Sequence, residues 1–160
     1  SGSILLYLFI FVFIILFVES TQFLVPKYKM FIFYSIIVCV NSDLGGFFFG
    51  KIFKGKKLTK ISPNKTISGS IGSFITSLFT IPIFIGDISF INLNLLILIT
   101  LIISFMSQLG DLFVSYIKRL AKVKDTGSIL PGHGGILDRI DGIIFAVPIG
   151  FFLLNLISII

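Results

Sequence analysis

Five long apolar runs, broken by short polar connections, decide what this chain can fold into. They cover roughly 4–18, 30–50, 67–86, 90–114 and 142–160. A helix needs around 20 residues to span the hydrocarbon core of a bilayer, within about 17–25. The first run is short and must borrow its flanks or tilt little. Hydrophobic residues make up 56% of the chain and charged ones only 12%, against about 25% charged in soluble domains. A soluble fold of 160 residues could not hide so much Ile and Phe. The expected fold class is therefore all-α: a polytopic integral membrane helix bundle of about five transmembrane helices, forming a single membrane domain over 1–160. The second run contains "NSDLGG" and the third contains Pro82, so neither need be a straight rod. Irregular backbone at that depth is tolerated only against protein or a water-filled cavity. The opening "SGSILLYLFIFVFIILFVES" has no basic leader and no small-residue cleavage site after it. It reads as a membrane helix rather than a signal peptide.

The charges orient the bundle. A net charge of +6 could mean nucleic-acid binding or basic cytoplasmic loops. The Lys residues lie between apolar runs, which favours the loops, and no nucleic-acid partner is expected. The connection 51–65 carries six Lys, and 115–141 carries Lys118, Arg119, Lys122, Lys124 and Arg139. Two membrane passes separate these connections, so they share a side. The connection between those passes, "GDISFINLN", has no Lys or Arg. Basic short loops stay cytoplasmic. This places both basic connections and the N-terminus in the cytoplasm, with 19–29, 86–92 and the C-terminus outside. Lys27 and Lys29 count against the assignment. The single Cys39 excludes an internal disulfide and reads as a small buried hydrophobe.

Five of the seven carboxylates converge on that cytoplasmic side: Asp43, Asp111, Asp125, Asp138 and Asp141. Glu19 and Asp87 fall outside and read as solvated loop residues. Asp125, just before "TGS", is equally well a cap or a solvated residue. Asp43 lies inside an apolar run, where a carboxylate costs roughly 2.5–3.5 kcal/mol on insertion scales and usually faces a bundle interior or cavity. Asp138 and Asp141 are three apart and share a face on a helix. Asp111, Asp138 and Asp141 at one depth repel each other, and a hard divalent cation relieves that repulsion. The usual Mg²⁺ arrangement is one or two carboxylates plus substrate phosphates.

The surrounding groups suit phosphate. Lys118, Arg119, Lys124 and Arg139 supply positive charge, and Arg can grip a phosphate bidentately. "PGHGGILDRID" sets three glycines around His133, the one histidine, ahead of a helix. Gly-rich backbone entering a helix offers free N–H donors to an anion. His133 is otherwise an ordinary loop histidine, and Lys118 and Arg119 otherwise mark only topology. The patch "KISPNKTISGSIG" at 60–72 reads as a structured turn before a helix, with Ser62, Lys65 and Thr66 at the turn. Its small residues Ser68, Gly69, Ser70 and Gly72 allow close approach of a helix or a ligand. Acids for a metal, bases for phosphate and a Gly-rich loop on one membrane surface suggest phosphoryl or nucleotidyl transfer to a substrate held in the bilayer.

The stretch Ser115–Asp141, "SYIKRLAKVKDTGSILPGHGGILDRID", resembles the signature of the phosphatidate cytidylyltransferases. Ser115, Lys118, Arg119, Lys124, Asp125, Gly127, Leu130, Pro131, His133, Gly134, Gly135, Asp138, Arg139 and Asp141 fall in its pattern. Upstream, "DLGGFFFGKIFKGKKLTKISPNKT" and "GDLFVS" are similar to further stretches of that family. The resemblance covers roughly residues 30–160 and only the C-terminal part of family members, whose usual N-terminal helices are absent here. Four positions depart: Gly46-Phe47 stand for Ala-Tyr, Asn64 for Lys and Ser68 for Glu. The resemblance implies the joining of CTP and phosphatidate to give CDP-diacylglycerol and pyrophosphate. It implies Mg²⁺ on Asp111, Asp138 and Asp141, with a second cation left open. Lys118, Arg119, Lys124, Asp125, His133 and Arg139 would complete the catalytic set. Asp43, Ser62, Lys65, Thr66, Gly134 and Gly135 would bind substrate, in a bilayer-embedded protein compatible with a homodimer. The active site would face the cytoplasm, at the inner membrane if the chain is bacterial. Two alternatives stay open: a small cation channel or transporter with Asp43 and Asp111 on its pathway, and an impaired remnant or relative that uses CTP with another lipid.

Overall fold

The computed structural model describes residues 26–59, 62, 65–123 and 137–159, with side chains described at 29–59, 62, 65–123 and 141–156. Among the described residues five helices follow one another: α1 Pro26–Phe53, α2 Ile67–Leu78, α3 Ile81–Phe84, α4 Leu93–Leu120 and α5 Leu137–Ile159. Among the described residues there is no strand, only one isolated bridge between Lys57 and Thr66. The stretches Lys29–Phe53, Ile67–Phe84 and Leu93–Leu120 are long and apolar enough to cross a membrane, and Asp141–Leu156 is a shorter apolar helix. The chain is a polytopic membrane helix bundle, as its apolar runs predict. The expected first helix, 4–18, lies outside the described residues.

Small residues set the packing. α1 and α2 form an antiparallel pair in which Gly45 and Gly46 lie against Gly72, Ser73 and Thr76, and Gly50 against Thr66 and Gly69. A Cβ on Gly69 would stand 2.7 Å from the Gly46 carbonyl oxygen, and one on Gly72 would stand 2.4 Å from Phe49 Cβ. Only hydrogen fits at these places. Membrane helices associate this way because burying apolar surface gives little drive when the solvent is lipid. α4 and α5 pair likewise, with Gly110 against Asp141 and Phe145 and Gly142 against Ser107.

Hydroxyl groups tie the pairs together. Tyr34 Oη and Thr100 Oγ1 share a hydrogen bond of 2.6 Å, and Ser42 and Ser104 one of 2.9 Å. Ser73 Oγ donates to the Ser42 carbonyl at 2.7 Å. Thr76 Oγ1 donates to the Asn41 carbonyl at 2.8 Å. The third apolar run breaks where Pro82 predicts: α2 stops at Leu78, and the one-turn α3 begins after Thr80. Asn41 Nδ2 donates to Thr80 Oγ1 at 2.8 Å, so the break is pinned to α1. This is the protein-lined setting that irregular backbone needs inside a membrane.

The bundle divides into two ends. Around the break sits an apolar core of Phe31, Tyr34, Phe84, Ile88, Leu96, Ile99 and Leu154. The opposite end holds the Lys-rich connection after α1 and the C-terminal turns of α4. Large apolar side chains point outward: Phe48, Ile83, Phe105 and Leu120 are all exposed. In a membrane these face lipid tails.

Two boundaries differ from the sequence reading. α4 continues to Leu120, six residues past the end of the apolar run at 114. Lys118 and Arg119, expected in a connection, therefore form the last turn of a helix. Cations are favourable there because the unpaired carbonyls carry partial negative charge. Lys122, in the left-handed region with φ 55°, ends the helix, and Val123 N donates back to the Lys118 carbonyl at 3.0 Å. At α5, the helix begins at Leu137, so Asp138 and Asp141 both lie on its first turns.

Candidate functional site

The described residues of the connection from α1 to α2 (54–59, 62, 65 and 66) form a hydrogen-bonded lap. Leu58 N donates to the Lys65 carbonyl at 2.8 Å, Ile67 N to the Lys56 carbonyl at 2.9 Å and Lys65 N to the Ser62 carbonyl at 3.1 Å. Thr66 then caps α2 by accepting from Gly69 N at 3.1 Å. The lap thus brings Ser62, Lys65 and Thr66 to the mouth of the bundle, beside α1 and α4.

There they line a cavity of about 320 Å³. α1 contributes Asp43, Gly46 and Phe47; the lap contributes Leu58, Ser62, Lys65 and Thr66; α2 contributes Gly69, Ser70 and Ser73; α4 contributes Gln108 and Asp111. Asp43 and Phe47 are one helical turn apart, as are Gln108 and Asp111, so each pair shares the face turned to the cavity. Asp43 lies ten residues before the end of α1, which at 1.5 Å per residue puts it about 15 Å below that end. The cavity therefore reaches into the membrane-crossing part of the bundle.

Its electrostatics are those of opposed charges in a partly sheltered place. Lys65 Nζ forms an ion pair with Asp111 Oδ2, the two side chains being 25% and 30% exposed. Asp43 is exposed to the cavity and lies in the field of both. Behind Asp111, on α5, Asp141 is 7% exposed. Its carboxyl lies beside that of Asp111 and within the field of Lys118, and its Oδ1 accepts from Gly142 N at 2.9 Å. The close approach at Gly110, whose Cβ would stand 2.9 Å from the Asp141 carbonyl, holds these two acids together. Ser70 Oγ donates to Gln108 Oε1 across the α2–α4 contact.

Of the residues singled out in the sequence, the fold gathers Asp43, Ser62, Lys65, Thr66 and Asp111 around one cavity, with Asp141 and Lys118 adjoining. Arg119 is exposed at the end of α4 and does not line it. Asp138 and Arg139 are placed by backbone only, on the first turn of α5. Lys124, Asp125, His133, Gly134 and Gly135 lie outside the described residues. Among the described residues, no three Asp, Glu, His or Cys side chains come close enough together to hold a metal ion. Gln108, Ser73 and Phe47 are lining residues that the sequence reading gave no role. Gln108 could have been found as a lone amide in an apolar run, three residues before an acid. Ser68, where a Glu was expected, does not line the cavity. Its Oγ accepts from Gly55 N at 3.2 Å and shares a hydrogen bond with Thr66 Oγ1 at 3.1 Å.

The model of the cytidylyltransferase family matches residues 1–157. The chain belongs to that family. The phosphatidate cytidylyltransferase of Bacillus subtilis (strain 168) is 46% identical over 131 residues, covering 80% of this chain and 48% of the relative. That of Staphylococcus haemolyticus (strain JCSC1435) is 46% identical over 131 residues, covering 81% and 49%. That of Staphylococcus aureus (strain COL) is 46% identical over 132 residues, again covering 81% and 49%. The chain spans about half the length of the curated relatives it matches.

Proposed function

We propose that this chain carries the catalytic part of a phosphatidate cytidylyltransferase, which makes CDP-diacylglycerol and pyrophosphate from CTP and phosphatidate. The observation that supports this most is the cavity itself. It sets carboxylates, a Lys and hydroxyls among membrane-crossing helices, with apolar Phe47 and Leu58 in its wall. A lipid phosphate and a nucleotide could meet there while acyl chains stay in the bilayer. The active site opens on the cytoplasmic side, where the basic connections lie, and the working unit is a homodimer.

The reaction joins two anions, so charge and positioning dominate its barrier. A phosphatidate phosphate oxygen attacks the α-phosphorus of CTP. A new P–O bond forms, the bond from the α-phosphorus to the bridging oxygen breaks, and pyrophosphate leaves with that oxygen. Lys65 and Lys118 offset negative charge on the phosphates, and Arg119, Lys124 and Arg139 extend the positive rim. Ser62, Thr66, Ser70 and Ser73 offer hydroxyl donors, and Gly134 and Gly135 backbone N–H donors. Asp43 orients the nucleotide.

The acids present suit a hard divalent cation in kind. Two carboxylates, Asp111 and Asp141, lie side by side, and Mg²⁺ commonly takes one or two carboxylates and completes its shell with substrate phosphates and water. Asp111 and Asp141, with Asp138, would hold it, and it would supply charge neutralisation of the triphosphate.

The test is reconstitution of the chain in phospholipid vesicles with labelled CTP, phosphatidate and Mg²⁺. Labelled CDP-lipid should form only when all three are present. A helical, inserted chain that yields no CDP-lipid would refute the reading.

A further inference from the structure

The cavity contains an arrangement that the proposed reaction does not by itself require. Lys65 is the one cation among its described lining residues, and it is already paired with Asp111. Asp111 is also the acid that lies beside Asp141. An ammonium and a divalent cation on the two oxygens of one carboxylate repel each other at close range, so each weakens the hold of the other. We infer that Lys65 is an exchangeable counter-ion: it neutralises Asp111 while no cation is bound, and it is released to a phosphate oxygen when a divalent cation takes Asp111. This rests on the reading of the cavity as a metal and phosphate site.

The anatomy suits exchange. The Lys65 backbone is pinned on both sides, by Leu58 N donating to its carbonyl and by its own N–H donating to Ser62. The next residue, Thr66, is fixed as the cap of α2. The base of the side chain is thus anchored while four flexible methylenes carry the ammonium. Both partners are partly exposed to the cavity, so an incoming ion can reach the pair. Asp43, which lines the cavity from α1, keeps negative potential at the released ammonium. The result is a site that holds its acids together when empty and presents a free cation only when a metal and its nucleotide arrive.

A Mn²⁺ titration of the vesicle-reconstituted chain, followed by the electron paramagnetic resonance signal of free Mn²⁺, tests this. The proteins are the unaltered chain, Lys65→Met, Lys65→Arg and Asp111→Asn, each with and without CTP. Lys65→Met should bind Mn²⁺ about 3- to 10-fold more tightly without nucleotide, because the competing charge is gone. It should also gain less from added CTP than the unaltered chain does. Lys65→Arg keeps the charge and should bind Mn²⁺ like the unaltered chain, and Asp111→Asn should lose binding. Equal or weaker Mn²⁺ binding by a folded Lys65→Met, with the unaltered chain still binding through Asp111, makes the pair a fixed structural bridge. That overturns the exchange and leaves the proposed activity standing. Absence of Mn²⁺ binding to the unaltered chain even with CTP overturns the metal site and the exchange together. Should Lys65→Met fail to fold, Lys65→Gln takes its place as the neutral variant, with the same expected and overturning results.

Discussion

Replacing Gly45 by Ala adds one methyl group to the α1–α2 seam, and its cost can be worked from the structure. The new Cβ would stand 1.9 Å from Thr76 Oγ1 and 2.7 Å from the Gly72 carbonyl oxygen. Turning Thr76 about χ1 relieves the first contact only in part, because Thr76 Cγ2 also stands 2.7 Å from the new carbon. Turning it breaks the 2.8 Å bond from Thr76 Oγ1 to the Asn41 carbonyl, an interhelical bond of a kind that averages about 0.6 kcal/mol in membranes. The second contact is with backbone and cannot be turned away, so the helices must part by several tenths of an ångström. Overpacking of this sort costs about 1–3 kcal/mol. Ala regains about 1 kcal/mol over Gly in a helix. The expected net loss is about 0.5–2.5 kcal/mol, read as reduced unfolding free energy in mixed detergent micelles. Gly86→Ala is the internal control, since nothing lies within 4 Å of its added carbon, and it should stay within about 0.5 kcal/mol of the parent. Adding Thr76→Ala to Gly45→Ala should recover part of the loss, because one of the two obstructions is gone while the Gly72 carbonyl remains. A Gly45→Ala chain as stable as the parent would show that the seam has slack, and the argument from close approach would be wrong.

Two further outcomes follow from the site. Asp141→Asn removes one of two adjacent carboxylates while keeping the shape of a side chain that is 7% exposed. CDP-lipid formation should fall about 100-fold or more, in line with loss of a charged group at a transition state, while the chain folds at least as stably as the parent. Unchanged turnover would remove Asp141 from the reaction. Ser68→Ala loses the bond from Gly55 N and should cost about 0.5–1.5 kcal/mol of stability. Because Ser68 does not line the cavity, the KM for CTP should stay within about twofold, an effect below 0.5 kcal/mol; a larger change would bring Ser68 into the site.

The apolar runs made the helices legible, because hydrocarbon-length segments in a membrane have few other ways to satisfy their backbone. The end of α4 was not. Hydropathy falls at Tyr116–Arg119, yet helical hydrogen bonds do not depend on side-chain polarity, and the turn continues to Leu120. Asp43, Asp111 and Asp141 could be picked out singly, since a carboxylate in an apolar run needs a reason. Their arrangement could not. The Lys65–Asp111 pair joins residues far apart in the chain, and Ser70–Gln108 does the same across α2 and α4. No local pattern encodes such meetings. The lap that positions Lys65 depends on backbone bonds among Lys56, Leu58, Ser62 and Ile67, which a Lys-rich stretch read only as a cytoplasmic loop conceals.

The small-residue seam also redraws where this chain tolerates change. In a soluble protein the bulky apolar positions are the guarded ones and the surface is free to vary. Here Phe48 and Ile83, 63% and 68% exposed, face fluid lipid tails that accommodate a larger or differently shaped group. At Gly69, by contrast, a single added carbon meets a backbone oxygen 2.7 Å away. The positions with the least side chain are therefore those where the sequence has the least freedom to drift.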